Sequence, residues 1–304
     1  MLDPQATVAY SLIHQKGVVS CMNFTLRRLC AEDLAAADQL RADLGWNQTI
    51  LDWQRLLTLS PEGCFVAEQN ARIVGTCTTV TYGKALSWVG MMMVHPASRG
   101  QGIGNALLQR AVDHLRQRGP RCIKLDATPM GQPLYARIGF VPEWTLTRWE
   151  HQGSPSGVEP APDSIHPPGE EHWPAILALD AQVCGVYRGP LLHSLAANSR
   201  RVLIHESGGS ILGFGMLRRG ARADYFGPMV AQPGMGEQLA RCLLSGHGDQ
   251  PIFWDIPDLN QPASDLARRL GFTFLRPLTR MYLETNLVPS DPLGQWAIGD
   301  PATG

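Results

Sequence analysis

An α/β architecture, two successive copies of one fold with a mixed sheet, is predicted by three observations. Strand-like and helix-like stretches follow one order along the first half, and most of that order returns after residue 172 in a worn form. A stretch rich in proline and glycine separates the two rounds. In the first round a charge-free strand meets an amphipathic helix through a glycine-rich elbow, Arg99-Gly-Gln-Gly-Ile-Gly104.

Asn23 to Arg28 alternates apolar Phe24 and Leu26 with Thr25 and Arg27, the period of a strand with one covered face. Glu32 to Leu44 is helix-prone, and Thr49-Ile-Leu-Asp52 has capping-box spacing for a second helix that carries Trp53 and Leu56. Cys64–Glu68, Ile73–Tyr82 and Leu86–Val94 are three strands joined by short turns. Leu107, Leu108, Ala111, Val112 and Leu115 then mark one helical stripe. A short strand, Cys122–Asp126, a helix, Pro133–Ile138, and a last strand, Glu143–Trp149, complete the round.

Glycines 100, 102 and 104 let several backbone N–H groups converge on one anion, with a helix N-terminus behind them and Arg99 beside them. That combination is a pyrophosphate cradle. A P-loop needs Gly-Lys followed by Ser or Thr, which is missing, and a dinucleotide fingerprint needs glycine where Leu107 stands. The loop resembles the Arg/Gln-x-x-Gly-x-Gly/Ala loop of the GNAT superfamily of acyl-CoA N-acyltransferases. Leu134-Tyr135-Ala-Arg-Ile-Gly139-Phe140 resembles the Leu-Tyr-x-x-x-Gly-Phe segment of the same enzymes, in the expected order.

The expected organisation is an N-terminal extension over 1–21, a GNAT domain over 22–150, a linker over 151–171, a degenerate GNAT-like domain over 172–286 and a flexible tail over 287–304. In the second copy the strand-to-helix turn lacks the counterpart of Arg99, Glu237 stands in place of Asn105, and Ala267 in place of Tyr135. A carboxylate there competes for helix amides, so acyl-CoA binding is expected of the first copy alone. Asp180 to Arg188, Phe226-Gly-Pro-Met-Val-Ala231, Trp254-Asp-Ile-Pro257 and Thr279-Arg-Met281 resemble the C-terminal acetyltransferase-like domain of the YitH/HolE type.

Composition excludes several classes. A formal net charge of −1 over 304 residues, without a basic run, offers nothing to nucleic acid or acidic membranes. No stretch is apolar enough to span a membrane. Seven scattered cysteines without a Cys-x-x-Cys pair suit a reducing cytoplasm, with no structural metal and with inert buried thiols. A cytoplasmic monomer or homodimer is expected.

The resemblance implies acetyl-CoA as donor and a primary amine of a small molecule as acceptor. It implies that the splayed strand end, including Met92 and Val94, meets the pantetheine arm, that Arg99, Gly100, Gln101, Gly102, Ile103, Gly104 and Asn105 hold the pyrophosphate, and that Tyr135 lies near the sulfur and protonates the leaving thiolate. No acidic residue or histidine lies in the central strand, so the base is open: Asp126 at a strand end, water, or an amine already neutral at pH 7, with His95 beside Pro96 more at home on the surface. Asp126 serves equally well as a loop brace. Trp46 and Asn47 of the connection between the first two helices are candidates for the acceptor wall, with Trp53 more at home in the core. Asp180, Arg188, Tyr225 and Asp255 are candidates from the second copy, although Asp180 and Arg188 also suit an internal ion pair. An acyl-CoA-responsive binding protein without turnover and a protein or peptide N-acetyltransferase are the rival functions.

Overall fold

The computed structural model describes residues 23–153, 155 and 161–304. The expected extension over 1–21, and part of the expected linker, lie outside the described residues. The chain forms two compact units: the first takes the described part of Met1–Val80 together with Val89–Gly119, the second Thr81–Trp88 and Pro120–Gly304.

The first unit contains β1 (Thr25–Arg28), α1 (Leu34–Asp43), α2 (Ile50–Leu59), β2 (Cys64–Gln69) and α3 (Ile103–Arg118), while β3 (Arg72–Tyr82) and β4 (Leu86–Val94) each run from one unit into the other. The start of α2 follows from its sequence: Asp52 accepts from Thr49 N at 2.7 Å and from Thr49 Oγ1 at 2.9 Å, closing a capping box. Trp53 is fully buried in the core. The stripe of α3 buries Ile103, Leu107, Leu108, Ala111, Val112 and Leu115, and Gly75 of β3 lets it approach the strand backbone. A Cβ on Gly75 would stand 2.9 Å from Leu107 Cδ1 and 3.1 Å from Met93 O.

The outer side of α3 carries a pH-sensitive contact. His114 packs its ring edge on Phe65 at 5.5 Å and accepts from Arg118 Nε at 3.1 Å. Burial, then the Arg118 charge, push this imidazole down to about 4. An unfolded histidine takes its proton near ~6.5, so the unfolded chain gains a proton that the folded ring refuses until about 4. Stability therefore falls as pH drops through that window, by about 1 kcal/mol once screening of the half-buried ring is allowed for. Urea unfolding at pH 7 and pH 4.5 measures the slope, and His114→Gln should flatten it.

The second unit adds β5 (Cys122–Ala127), α4 (Gln132–Ile138), β6 (Phe140–His151), β7 (Ile165–His166), α5 (Trp173–Cys184), α6 (Gly189–Ala196), β8 (Ser199–Ser207), β9 (Ser210–Arg218), β10 (Asp224–Ala231), α7 (Gly236–Leu244), β11 (Ile252–Pro257), α8 (Gln261–Arg269), β12 (Thr273–Leu283) and β13 (Gln295–Ala297). Its strands lie in the order β5-β12-β6-β11-β10-β9-β8-β7, with β13 against β10. The closing strands of the two copies are thus exchanged. β12 of the second copy lies between β5 and β6 of the first, and β6 pairs in turn with β11 of the second.

Charge helps fix this exchange. Arg280 of β12 is in register with Asp126 of β5, and Arg148 of β6 with Asp255 of β11. Both pairs are bidentate and buried: Arg280 reaches Asp126 at 2.9 and 2.9 Å, Arg148 reaches Asp255 at 2.7 and 2.6 Å. Each copy's aspartate is neutralised by the other copy's arginine.

Two expectations about connecting segments are corrected. The stretch 151–171 contributes an edge strand, since Ile165 of β7 pairs with His205 and is buried. Residues 287–304 are no flexible tail: β13 pairs with β10, and Trp296, Ala297, Ile298, Asp300, Ala302 and Thr303 are buried. The physical reason is the apolar Trp-Ala-Ile run, too short for a period to be read, which covers core that β10 and β11 leave open.

Candidate active site

The elbow before α3 belongs wholly to the first unit. Gly100 and Gly102 have φ of 77° and 83°, and Gly102 is the N-cap of α3. An added Cβ at either would meet nothing, so only backbone conformation demands glycine there. Among the described residues, no protein acceptor takes the amides of Gly100, Gln101, Gly102, Ile103, Gly104 or Asn105, whereas Ala106 N already bonds Gly102 O at 3.0 Å. Arg99 is tied to the end of β4, its Nε donating to Val94 O at 3.1 Å. Gln69 braces the turn from below, accepting from Ser98 Oγ at 3.1 Å and donating to Gln101 Oε1 at 2.9 Å. The arrangement fits a pyrophosphate: several unshared N–H groups, a helix N-terminus and a guanidinium on an exposed turn.

β4 is irregular where the resemblance wants it to be. Its register with β5 runs from Leu86↔Cys122 to Trp88↔Lys124. Three residues on, Met91 has φ of 45°, an outlier for a bulky side chain, and its carbonyl accepts from Thr76 Oγ1 at 2.7 Å. Met91 and Met93 are core residues, while Met92 and Val94 are half-buried.

Tyr135 lies on α4, buried, with its ring edge on Phe140 at a centroid distance of 6.1 Å. Gly131 makes its room, since a Cβ there would lie 2.9 Å from Tyr135 Cε2. The side chain of Asp126 is fully buried and its two oxygens are both held by Arg280. Burial pushes its carboxyl up and the Arg280 charge opposes that. The guanidinium of Arg280 is itself stacked between Trp88 and Trp144, at 4.6 and 4.3 Å from the ring centroids.

Asp180 and Arg188 form an internal bidentate pair at 2.7 and 3.0 Å, and a third guanidinium nitrogen of Arg188 donates to Gly304 O. Tyr225 lies between Arg148 and Arg218, at 5.5 and 5.0 Å from its centroid. In the first unit Trp46 is half-buried, its carbonyl accepting from Arg41 Nη1 at 2.9 Å, and Asn47 beside it is buried. The residues with a new part to play are Arg280, Trp88 and Tyr82. Aligning the two copies points to the first of them, because both have an aspartate closing the short strand and an arginine in the last strand.

In the second copy the counterpart of this site is filled by the chain itself. β10 follows β11 from Asp224↔Ile252 to Phe226↔Trp254, and then pairs with β13 at Met229↔Ala297 and Val230↔Gln295. Ile298 N donates to Asp255 O at 3.1 Å, and Trp254 Nε1 to Trp296 O at 2.8 Å. The Trp296 ring lies on the first turn of α7, where a Cβ on Gly236 would come within 1.9 Å of it. Glu237 next to it is paired with Arg241 and Arg269 at 2.8 and 2.7 Å. The first turn of α7 is thus covered by the chain's own side chains.

Strand order, the positive φ at Met91 and the elbow define a tandem acyltransferase fold with a worn second copy. Family comparison agrees: a family described as Acetyltransferase (GNAT) domain matches residues 60–142, and a second family of the same description matches 176–293. The chain belongs to the GNAT acetyltransferases. It is 31% identical over 83 residues to a mycothiol acetyltransferase of Thermomonospora curvata, a match covering 26% of this chain and 28% of that protein. It is 26% identical over 113 residues to an N-acetyltransferase of Methanocaldococcus jannaschii, covering 34% and 49%. The chain thus spans between about a quarter and a half of the curated relatives it matches. Among solved structures, a chain from Pyrococcus horikoshii assigned as an acetyltransferase matches with a TM-score of 0.79 at 22% identity, over 96% of this chain and 99% of that one. A tandem GNAT protein from the clavulanic acid biosynthesis pathway matches with a TM-score of 0.63 at 18% identity, over 88% and 100%. These likenesses show the fold. Among the described residues no helix is long and apolar enough to cross a membrane, and no group of three or more His, Cys, Asp or Glu is placed to hold a metal.

Proposed function

We propose that the chain moves an acetyl group from acetyl-CoA to the primary amine of a small molecule by direct transfer. The observation that carries this reading is the set of unshared amides over Gly100–Asn105 at the start of α3. In this reading those amides and Arg99 hold the pyrophosphate, and the end of β4 beyond Met91, including Met92 and Val94, meets the pantetheine arm. Acetyl-CoA supplies the activated thioester. Tyr135 gives a proton to the departing sulfur, a role drawn from the Leu-Tyr-x-x-x-Gly-Phe resemblance. Asp126, with both oxygens engaged by Arg280, serves better as a brace than as a base. Proton removal then falls to water or to an amine already neutral near pH 7. Trp46 and Asn47 are proposed for the acceptor wall, and the second copy for its completion through Arg188, which Asp180 orients. Tyr225 enters this scheme by positioning, through the arginines on either side of it.

The test begins with binding. Calorimetry should show heat with CoA, and Gly102→Val should weaken it about tenfold, because the left-handed conformation costs a side chain about 1–2 kcal/mol. Thiol release is then followed with acetyl-CoA and a broad amine panel. Binding without release on any amine favours the regulatory alternative, and no binding at all ends the proposal.

A further inference from the structure

In the second unit, a row of side chains across three strands carries one positive charge more than it balances. Arg276 of β12 is in register with Arg148 of β6, and Arg148 with Asp255 of β11, so the three stand side by side on one face of the sheet. Asp255 is spent on Arg148, whose Nε and Nη2 it takes at 2.7 and 2.6 Å. Two like charges directly opposite each other work against a strand pair. Among the described residues Arg276 makes no hydrogen bond and no ion pair, and its Nε is enclosed without a partner. Burial, then the Arg148 charge, pull this guanidinium below its ordinary value, with Asp255 opposing.

The next row on the same face holds Glu150, Phe253, Tyr225 and Arg218, in register across β6, β11, β10 and β9. It does not relieve Arg276. Phe253 and Tyr225 lie under the Arg148 guanidinium, at 5.1 and 5.5 Å from the ring centroids, and Arg218 donates to Gly227 O at 2.8 Å. The Glu150 carboxylate forms no ion pair with Arg276. Arg276 is also reachable: it is half-buried, and Phe274 and Leu275 before it are 60% and 40% exposed. The register slips between Phe274 and Arg276, so Leu275 faces no partner residue and adds apolar surface beside the guanidinium.

A half-buried guanidinium without a counter-charge, set opposite one that is already balanced, is equipped to take an anion. One uncompensated charge calls for one negative charge, and the Asp255 and Glu150 carboxylates disfavour a second. The planar fork matches a carboxylate in bidentate fashion, and Leu275 suits an apolar body behind it. We propose that Arg276 anchors a binding site for a small organic monocarboxylate on the second unit, with the Arg148–Asp255 pair beside it. Every residue of the site belongs to that unit, and the inference stands apart from the acetyl-transfer reading.

Benzoate is the probe, titrated into the full chain by calorimetry at constant ionic strength, with inorganic phosphate and chloride as comparisons. Benzoate should bind saturably, one per chain, and Arg276→Gln should weaken it about tenfold or more, the effect of one charge-assisted hydrogen bond. Without benzoate the variant should withstand urea at least as well as the parent, because it removes an unmatched charge. No saturable binding of benzoate, or equal binding by parent and variant, overturns the inference. Phosphate or chloride bound as tightly as benzoate overturns the ligand class. Should Arg276→Gln not fold, two milder variants decide. Arg276→Lys keeps the charge and loses the fork, so it should fold and bind benzoate several-fold more weakly. Glu150→Gln removes a competing carboxylate, so it should keep the parent's stability and bind benzoate no less tightly. Unchanged affinity in Arg276→Lys overturns the site, and a loss of stability in Glu150→Gln matching that of Arg276→Gln overturns it by giving Arg276 a counter-charge within the chain.

Discussion

Replacing Arg280 by methionine lowers stability by about 3–5 kcal/mol, because it leaves a buried carboxylate without its counter-charge. The Asp126 carboxylate has no exposed surface through which water could take over, and its two oxygens are both used by the guanidinium. The loss is not only electrostatic, since the same guanidinium fills the space between Trp88 and Trp144. Urea unfolding of Arg280→Met, Asp126→Asn and the double variant separates these parts. The double variant should recover a large share of the loss, because no charge is then stranded. The pH dependence has a fixed sign. Burial already pushes this carboxyl up, and removing the arginine pushes it further, so the variant's deficit grows as pH rises and shrinks toward the acid range. A deficit under 1 kcal/mol, flat with pH, would show that the pair contributes nothing to the exchanged strands.

Tyr135→Phe should lower kcat about 10²-fold, the lower end of what a positioned proton donor contributes, while leaving CoA affinity where it was. The substitution is conservative by design. The ring keeps its edge contact with Phe140 and the room that Gly131 makes for it, and urea unfolding of the variant reads any cost of the lost hydroxyl. Stopped-assay thiol release and calorimetry with CoA on the same preparation give the two numbers. A kcat within about threefold of the parent would move proton donation elsewhere.

Local chemistry was legible from residues alone, and long-range pairing was not. The elbow and α3 could be read because three glycines, a stripe at helical spacing and an apolar strand lie within about thirty positions. Asp126 was visible as a carboxylate at a strand end, but its partner stands 154 residues away, and no period connects them. Arg188 and Asp180 are eight apart and could be weighed as a pair, which they are. β13 escaped because a three-residue strand carries no alternation, and its proline- and glycine-rich surroundings read as loose chain. Tyr82 and Trp88 looked like ordinary strand residues, since their polar tips meet only backbone from more than 200 positions on.

The exchanged closing strands bear on deletion. A tandem copy that shared no strands with its neighbour could be deleted without loss to it. Here deletion of the second copy would remove β12 and with it the neighbour on which β5 and β6 both lean. Removing either half therefore unpairs strands of the other, so the second half is a structural dependency of the first whatever chemistry it performs.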